Sequence, residues 1–183
     1  MIMEAIKEKK EELKAEMQAM MEAYARLAIP GAPHKMFAKI EGSWITRSRM
    51  WTDPDKPPEE SVGACENKMV YDGRFLQMEY TDTMMGKPVT GMVIMGYDNN
   101  TKKYVTVSFG SMGTGIYLFE GTASADGKTI TQENRYVEPV RGAMTYRAVT
   151  RFIDANSYTF EMFGTDKSGK EVKMMETTYT RKG

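Results

Sequence analysis

Histidine and cysteine are almost missing from this chain: 183 residues contain one of each, His34 and Cys65. A lone cysteine excludes an internal disulfide and a thiolate zinc site. One histidine leaves no imidazole cluster for a metal and a single imidazole base for catalysis. Charge imbalance is missing too. Lys+Arg and Asp+Glu both number 25, so net charge is zero and the basic footprint of a nucleic-acid partner is absent. No apolar run approaches the length that spans a bilayer, so no membrane partner is expected. The first residues, Met1-Ile2-Met3-Glu4, lead into a charged segment without the apolar core of a signal peptide. A cytoplasmic protein is the expectation, with enough chain for one ordinary core.

Methionine is abundant instead, at 18 residues. Its flexible, polarizable side chain fills irregular core gaps or lines adaptable apolar pockets. From Met3 to Leu27 it is joined by Glu, Lys and Ala, all strong helix formers. Met3, Ile6, Leu13, Met17, Met20, Tyr24 and Leu27 recur at alternating steps of three and four, interrupted at Lys10. On a helix this is one apolar seam with a coiled-coil-like spacing, and Pro30-Gly31 ends it. The reading divides the chain into an amphipathic helix over 1–30 and a β domain over 31–183. The seam fits either the wall of its own β domain or a second copy of the chain, making a homodimer.

Beyond a short segment at 33–40 that suits a helical turn, the chain alternates as strands do. Ten are expected, near 43–52, 60–71, 74–83, 88–97, 103–110, 115–123, 128–136, 142–153, 157–164 and 171–181. Turn residues separate them: Asp53-Pro54 with Pro57-Pro58, Asp72-Gly73, Gly86-Lys87-Pro88, Asp98-Asn99-Asn100, Asp126-Gly127 and Ser168-Gly169. Short hairpins throughout favour a meander, and closing it removes the edges that an open sheet would expose. The fold expected is mainly β: a single up-and-down antiparallel barrel behind one long N-terminal helix. Closure brings Gly42-Ser43-Trp44 beside Tyr179-Thr180-Arg181, so the guanidinium can lie over the indole.

Register can be tested in the last two hairpins. Pairing Phe152 with Tyr158 and Tyr158 with Tyr179 puts Phe152, Tyr158, Phe160, Met162, Met175, Tyr179 and Arg181 on one face. Arg147, Arg151, Glu161 and Glu176 then share the other, whereas a slip of one residue mixes the sets. The aromatic–Met face is read as the interior, shared with Trp44, Thr46, Ser48 and Met50. The residues expected to line it and meet a ligand are Ser48, Met50, Tyr146, Phe160, Met162, Met175 and Tyr179.

The segment His34-Lys35-Met36-Phe37-Ala38-Lys39-Ile40-Glu41-Gly42-Ser43-Trp44 opens a resemblance. It continues through Met50-Trp51, Lys56-Pro57-Pro58-Glu59-Glu60-Ser61, Gly73-Arg74-Phe75-Leu76-Gln77, Gly96-Tyr97-Asp98-Asn99 and Met175-Glu176-Thr177-Thr178-Tyr179-Thr180-Arg181. From about residue 31 to the end these motifs resemble the bacterial family known as Domain of Unknown Function 1579, which has no assigned activity to carry over. More distantly, Gly-x-Trp with a closing Arg is similar to the calycin barrels: lipocalins, fatty-acid-binding proteins and haem-binding nitrobindins. That likeness implies that Trp44 and Arg181 close the barrel. The nitrobindins take an axial His from late in the chain, where this sequence has none. His34 precedes the first strand and is expected as a hydrogen-bonded plug at the closed end.

The leading functional expectation is a barrel that binds a small, mainly apolar molecule. The alternative is an interaction protein with a filled barrel and a helix-mediated dimer; an enzyme or a haem barrel stands behind both. Glu161 and Glu176 face each other, but Arg147 and Arg151 beside them make a surface charge network the better reading than an acid–base pair. Ser43, Ser108 and Ser111 lack a nucleophile elbow, and Gly110, Gly113 and Gly115 lack the Lys-Ser/Thr of a phosphate loop. No catalytic residue, metal ligand or cofactor is expected.

Overall fold

The computed structural model describes residues 1–53, 55–166 and 168–183. Pro54, expected to mark the first turn, and Lys167, in the loop before the last strand, lie outside the described residues. The chain forms two compact units, Met1–Pro30 and Gly31–Gly183.

The first unit is a single helix, α1, over Ile2–Leu27. Its high content of Ala, Glu, Lys and Met favours the helix throughout, and no residue of it is buried. Among the described residues, no helix is long and apolar enough to cross a membrane.

The second unit begins with a short helix, α2 (Ala32–Ala38), followed by ten strands. These are β1 (Gly42–Met50), β2 (Glu59–Val70), β3 (Phe75–Met84), β4 (Lys87–Asp98), β5 (Lys103–Gly110), β6 (Tyr117–Ala123), β7 (Thr129–Glu138), β8 (Gly142–Asp154), β9 (Ser157–Thr165) and β10 (Glu171–Arg181). Each pairs antiparallel with its neighbours in sequence, and β1 pairs with β10 to close the barrel. The expected strand boundaries agree with these to within about two residues. Asp72-Gly73 closes the β2–β3 connection, with Gly73 at φ 79° in the left-handed region.

The register read from side-chain faces holds. Phe152 pairs with Tyr158, Thr150 with Phe160 and Ala148 with Met162; Tyr158 pairs with Tyr179 and Met162 with Met175. Trp44 stands opposite Arg181 across the closing seam. One irregularity was not legible in the sequence, a bulge between Lys173 and Met175 in β10. An extra residue there changes the alternation of β10 and puts both Met174 and Met175 on the interior wall.

The starts of the odd-numbered strands and the ends of the even-numbered ones converge on a packed core. Phe37 and Ile40, from α2 and the residues after it, sit with Trp44, Leu76, Tyr104, Ile130, Phe152 and Tyr158, all nearly inaccessible. Burying side chains of this size is worth about 1.5–3 kcal/mol each, which holds α2 in one end of the barrel. Among the described residues, the opposite end is formed by those at 51–53, 55–58, 85–86, 111–116, 139–141, 166 and 168–170.

Candidate functional site

The closed end is built from the carbonyls that follow α2. A helix leaves its last C=O groups without partners, and here barrel side chains supply them. Arg181 donates through Nη2 to Lys39 O at 2.8 Å and through Nη1 to Glu41 O at 2.7 Å. Between them, Ile40 O accepts from Trp44 Nε1 at 3.0 Å and Asn67 Nδ2 at 2.8 Å. Arg181 also donates through Nε to Ala155 O at 2.9 Å, and its guanidinium carbon lies 4.3 Å from the centre of the Trp44 ring. Gly42 is required beside it: its φ is +119°, and a Cβ there would stand 2.9 Å from Arg181 Nη1.

His34 belongs to this end too. It is buried in α2, its Nδ1 accepts from Gly31 N–H at 3.0 Å, and its ring meets Tyr97 edge-on. Burial holds its pKa below the usual imidazole value; a hydrogen bond with the Tyr97 backbone opposes that, and the Arg74 charge adds to it. Cys65 lies deeper still, its thiol donating to Asn67 Oδ1 at 3.2 Å and pushed up to about 12 by burial, which leaves it unreactive.

Above this plug the interior opens into a cavity of about 1220 Å³ that reaches the loops of the far end. The filled barrel of the alternative reading is therefore corrected: the inward side chains of β1–β10 leave the space between them open. Ser48, Met50, Tyr146, Phe160, Met162, Met175 and Tyr179 all stand on the cavity wall. Trp44, Arg181 and His34 do not. Eight of the 18 methionines line the cavity, at 50, 78, 84, 95, 112, 162, 174 and 175. Trp51, Tyr80, Phe109, Tyr117, Phe119, Tyr136 and Tyr158 add to the aromatic surface.

The polar groups of the wall were mostly missed from the sequence. Asp82 accepts from Ser48 Oγ at 2.9 Å, and Ser48 Oγ lies 3.0 Å from Thr177 Oγ1. Tyr146 donates its hydroxyl to Glu138, which also receives two hydrogen bonds from Arg141. On the far wall, β6 and β7 pair only from Glu120–Ala123 to Ile130–Glu133. Where they part, side-chain amides replace the ladder: Gln132 Nε2 donates to Phe119 O at 3.3 Å and Asn134 Nδ2 to Leu118 O at 2.7 Å. The signal that would have found Asp82 is the two-residue period of β3, which turns Met78, Tyr80, Asp82 and Met84 inward together.

The outer face carries the other expected carboxylates. Glu161 and Glu176 are opposite each other, but neither is alone: Arg151 and Lys173 hold Glu161, and Lys173 and Arg49 hold Glu176. Partial burial works upward on Glu176, yet hydrogen bonds from Lys173 and Arg49 keep its carboxyl below the usual range. Arg147 differs from expectation. It pairs with Glu171, the first residue of β10, and stacks its guanidinium on Phe163, because Phe163 is its partner across β8–β9. Among the described residues, no group of three His, Cys, Asp or Glu is placed to hold a metal ion.

Comparison with known proteins adds fold relatives. The crystal structure of Rv2717c from M. tuberculosis is similar at TM-score 0.62 and 16% identity, covering 85% of this chain and 100% of that one. The S-type phycobiliprotein lyase CPES from Guillardia theta is similar at TM-score 0.56 and 13% identity, covering 81% and 92%. At these identities both speak to the fold alone. No curated protein matches the chain. A family model matches residues 29–181, the whole barrel with its plug, and the chain belongs to that family, described as protein of unknown function DUF1579.

Proposed function

We propose that the barrel binds one small, mainly apolar molecule in its interior, entering at the end away from α2. The observation that carries this reading is the cavity of about 1220 Å³ walled by methionine and aromatic side chains. Pockets for drug-sized ligands occupy about 300–1,000 Å³ and are lined mainly by such residues. Apolar wall left facing water forgoes about 25 cal/mol per Å² that an apolar occupant would restore. Methionine suits the purpose because its three rotatable bonds let the wall fit an irregular guest. Trp44 and Arg181 act in this reading by sealing the floor, so their side chains take no part in recognition.

Two measurements on the purified full chain test it. Native mass spectrometry with organic extraction should recover a bound species, or the protein should enhance the fluorescence of the neutral probe N-phenyl-1-naphthylamine. The reading fails if no species is recovered and the probe stays dark.

A further inference from the structure

Asp82, a carboxylate on the wall of this cavity, has no ion-pair partner among the described residues. Asp82 is carried into the interior by the alternation of β3, between Tyr80 and Met84. Its Oδ2 accepts from Ser48 Oγ at 2.9 Å, and its Oδ1 accepts from the Thr83 N–H at 2.6 Å. Ser48 belongs to β1 and Asp82 to β3, so this hydrogen bond crosses over β2. Gly63 makes the crossing possible. A Cβ there would stand 2.8 Å from Thr46 Oγ1 and 3.1 Å from Asp82 Cα, so β2 presents bare backbone at this point.

Two other charged groups along the cavity have partners within the protein. Glu138 is held by Arg141 and the Tyr146 hydroxyl, and Lys173 is held by Glu161 and Glu176. No ion pair forms at Asp82 among the described residues: the cavity's two cations, Arg141 and Lys173, belong to the β7–β8 connection and β10, away from β3, and have other partners. Nearer the opening, Asp53, Asp55, Glu59 and Asp166 also line the cavity, and among the described residues Asp53 alone of these pairs with a lysine, Lys56. The field at the entrance thus favours a positive guest. Two aromatic rings, Tyr80 and Tyr179, share the wall with Asp82, and an aromatic face attracts a desolvated cation. Asp82 is half-buried and has room for a further hydrogen bond, and an ammonium group placed beside it would make a charge-assisted one.

Building on the small-molecule reading, we infer that the occupant is an amphiphilic amine, its ammonium head on Asp82 and Ser48 and its apolar body against Met78, Met95, Phe160 and Met162. The Ser48 hydroxyl fixes the carboxylate, leaving the rest of its acceptor capacity for the ligand. The flexible methionines follow the chain of the guest.

Calorimetric titration of the full-length protein at pH 7, below micelle-forming concentrations, tests this with three matched probes: n-decylamine, n-decanol and decanoate. The amine should bind at least tenfold tighter than the alcohol, and decanoate weakest. Asp82→Asn should bring the amine to the affinity of the alcohol while leaving the alcohol within about twofold. Ser48→Ala, which keeps the carboxylate, should retain the preference for the amine. The wild-type comparison stands by itself should Asp82→Asn not fold. Amine and alcohol binding equally to the wild type would overturn the inference while leaving the small-molecule reading intact. An equal loss of all three probes in a folded Asp82→Asn would do the same. Binding of none of the three would overturn both.

Discussion

Arg181 satisfies three carbonyls and covers one indole, and these roles are separable. Arg181→Ala leaves Lys39 O, Glu41 O and Ala155 O without their donor and uncovers Trp44. Hydrogen bonds to a charged group are worth about 1.5–3 kcal/mol each, and they are not additive. We expect a loss of about 2–4 kcal/mol in urea unfolding, with probe binding at the far end of the cavity unchanged. Arg181→Lys should recover less than half, because an ammonium cannot lie flat on Trp44 while reaching three carbonyls. A loss below about 0.5 kcal/mol in the alanine variant would show that the clasp is incidental. His34 gives a second residue-scale test. Its folded pKa is depressed, chiefly by burial, and Nδ1 is already occupied as an acceptor. The unfolded chain therefore binds the proton more readily. The contribution of His34 is fully present above the unfolded value, about 6.5, and is lost as pH falls from there toward the lower folded value. Urea midpoints should fall over that window in the wild type and lose that component in His34→Gln; parallel curves for the two proteins would refute it.

Strands and their register were legible because a two-residue period is unforgiving: one slip would have put Glu161 and Glu176 among Phe160 and Met162. The same logic could not reach the partners of long charged side chains. Arg147 and Glu171 meet across β8, β9 and β10, at a distance set by barrel curvature and not by spacing along the chain. Nor could it foresee the parting of β6 from β7, since Gln132 and Asn134 read as ordinary polar residues until their amides replace missing ladder bonds. Asp82 was hidden for a related reason: its meaning comes from Ser48, 34 residues away in sequence and two strands away in the sheet. The seven wall residues named from the sequence came from alternation alone, which tells which side a residue faces but not whether the space there is filled. At this scale the outer charge ladder yields a prediction. Glu161 is about 15% exposed and holds both Arg151 and Lys173, so Glu161→Gln should cost about 1.5–3 kcal/mol and leave binding of N-phenyl-1-naphthylamine unaltered. A tenfold change in that binding would instead give the outer carboxylates a functional role.

The whole molecule divides at Pro30-Gly31, and the two parts face different physical problems. The barrel holds its own core, its own floor and a closed hydrogen-bond network, so a chain beginning at Gly31 has everything a two-state domain needs. We expect that shortened chain to keep the β circular-dichroism spectrum, to melt within a few degrees of the full chain and to bind N-phenyl-1-naphthylamine equally well. Helix α1 has the opposite problem. Most of a helix's stability in a protein comes from packing its apolar face, and the seam of Ile6, Leu13, Met17, Met20 and Tyr24 in α1 is exposed. Its alternation of three and four residues is the spacing at which two such helices bury their seams against each other. A second copy of the chain is thus the partner we expect, and light scattering should give twice the monomer mass for the full chain and one monomer for the chain from Gly31. Equal oligomeric states would refute pairing through α1. Loss of β structure in the shortened chain would refute the division itself, and would mean that α1 contributes stability the barrel cannot supply alone.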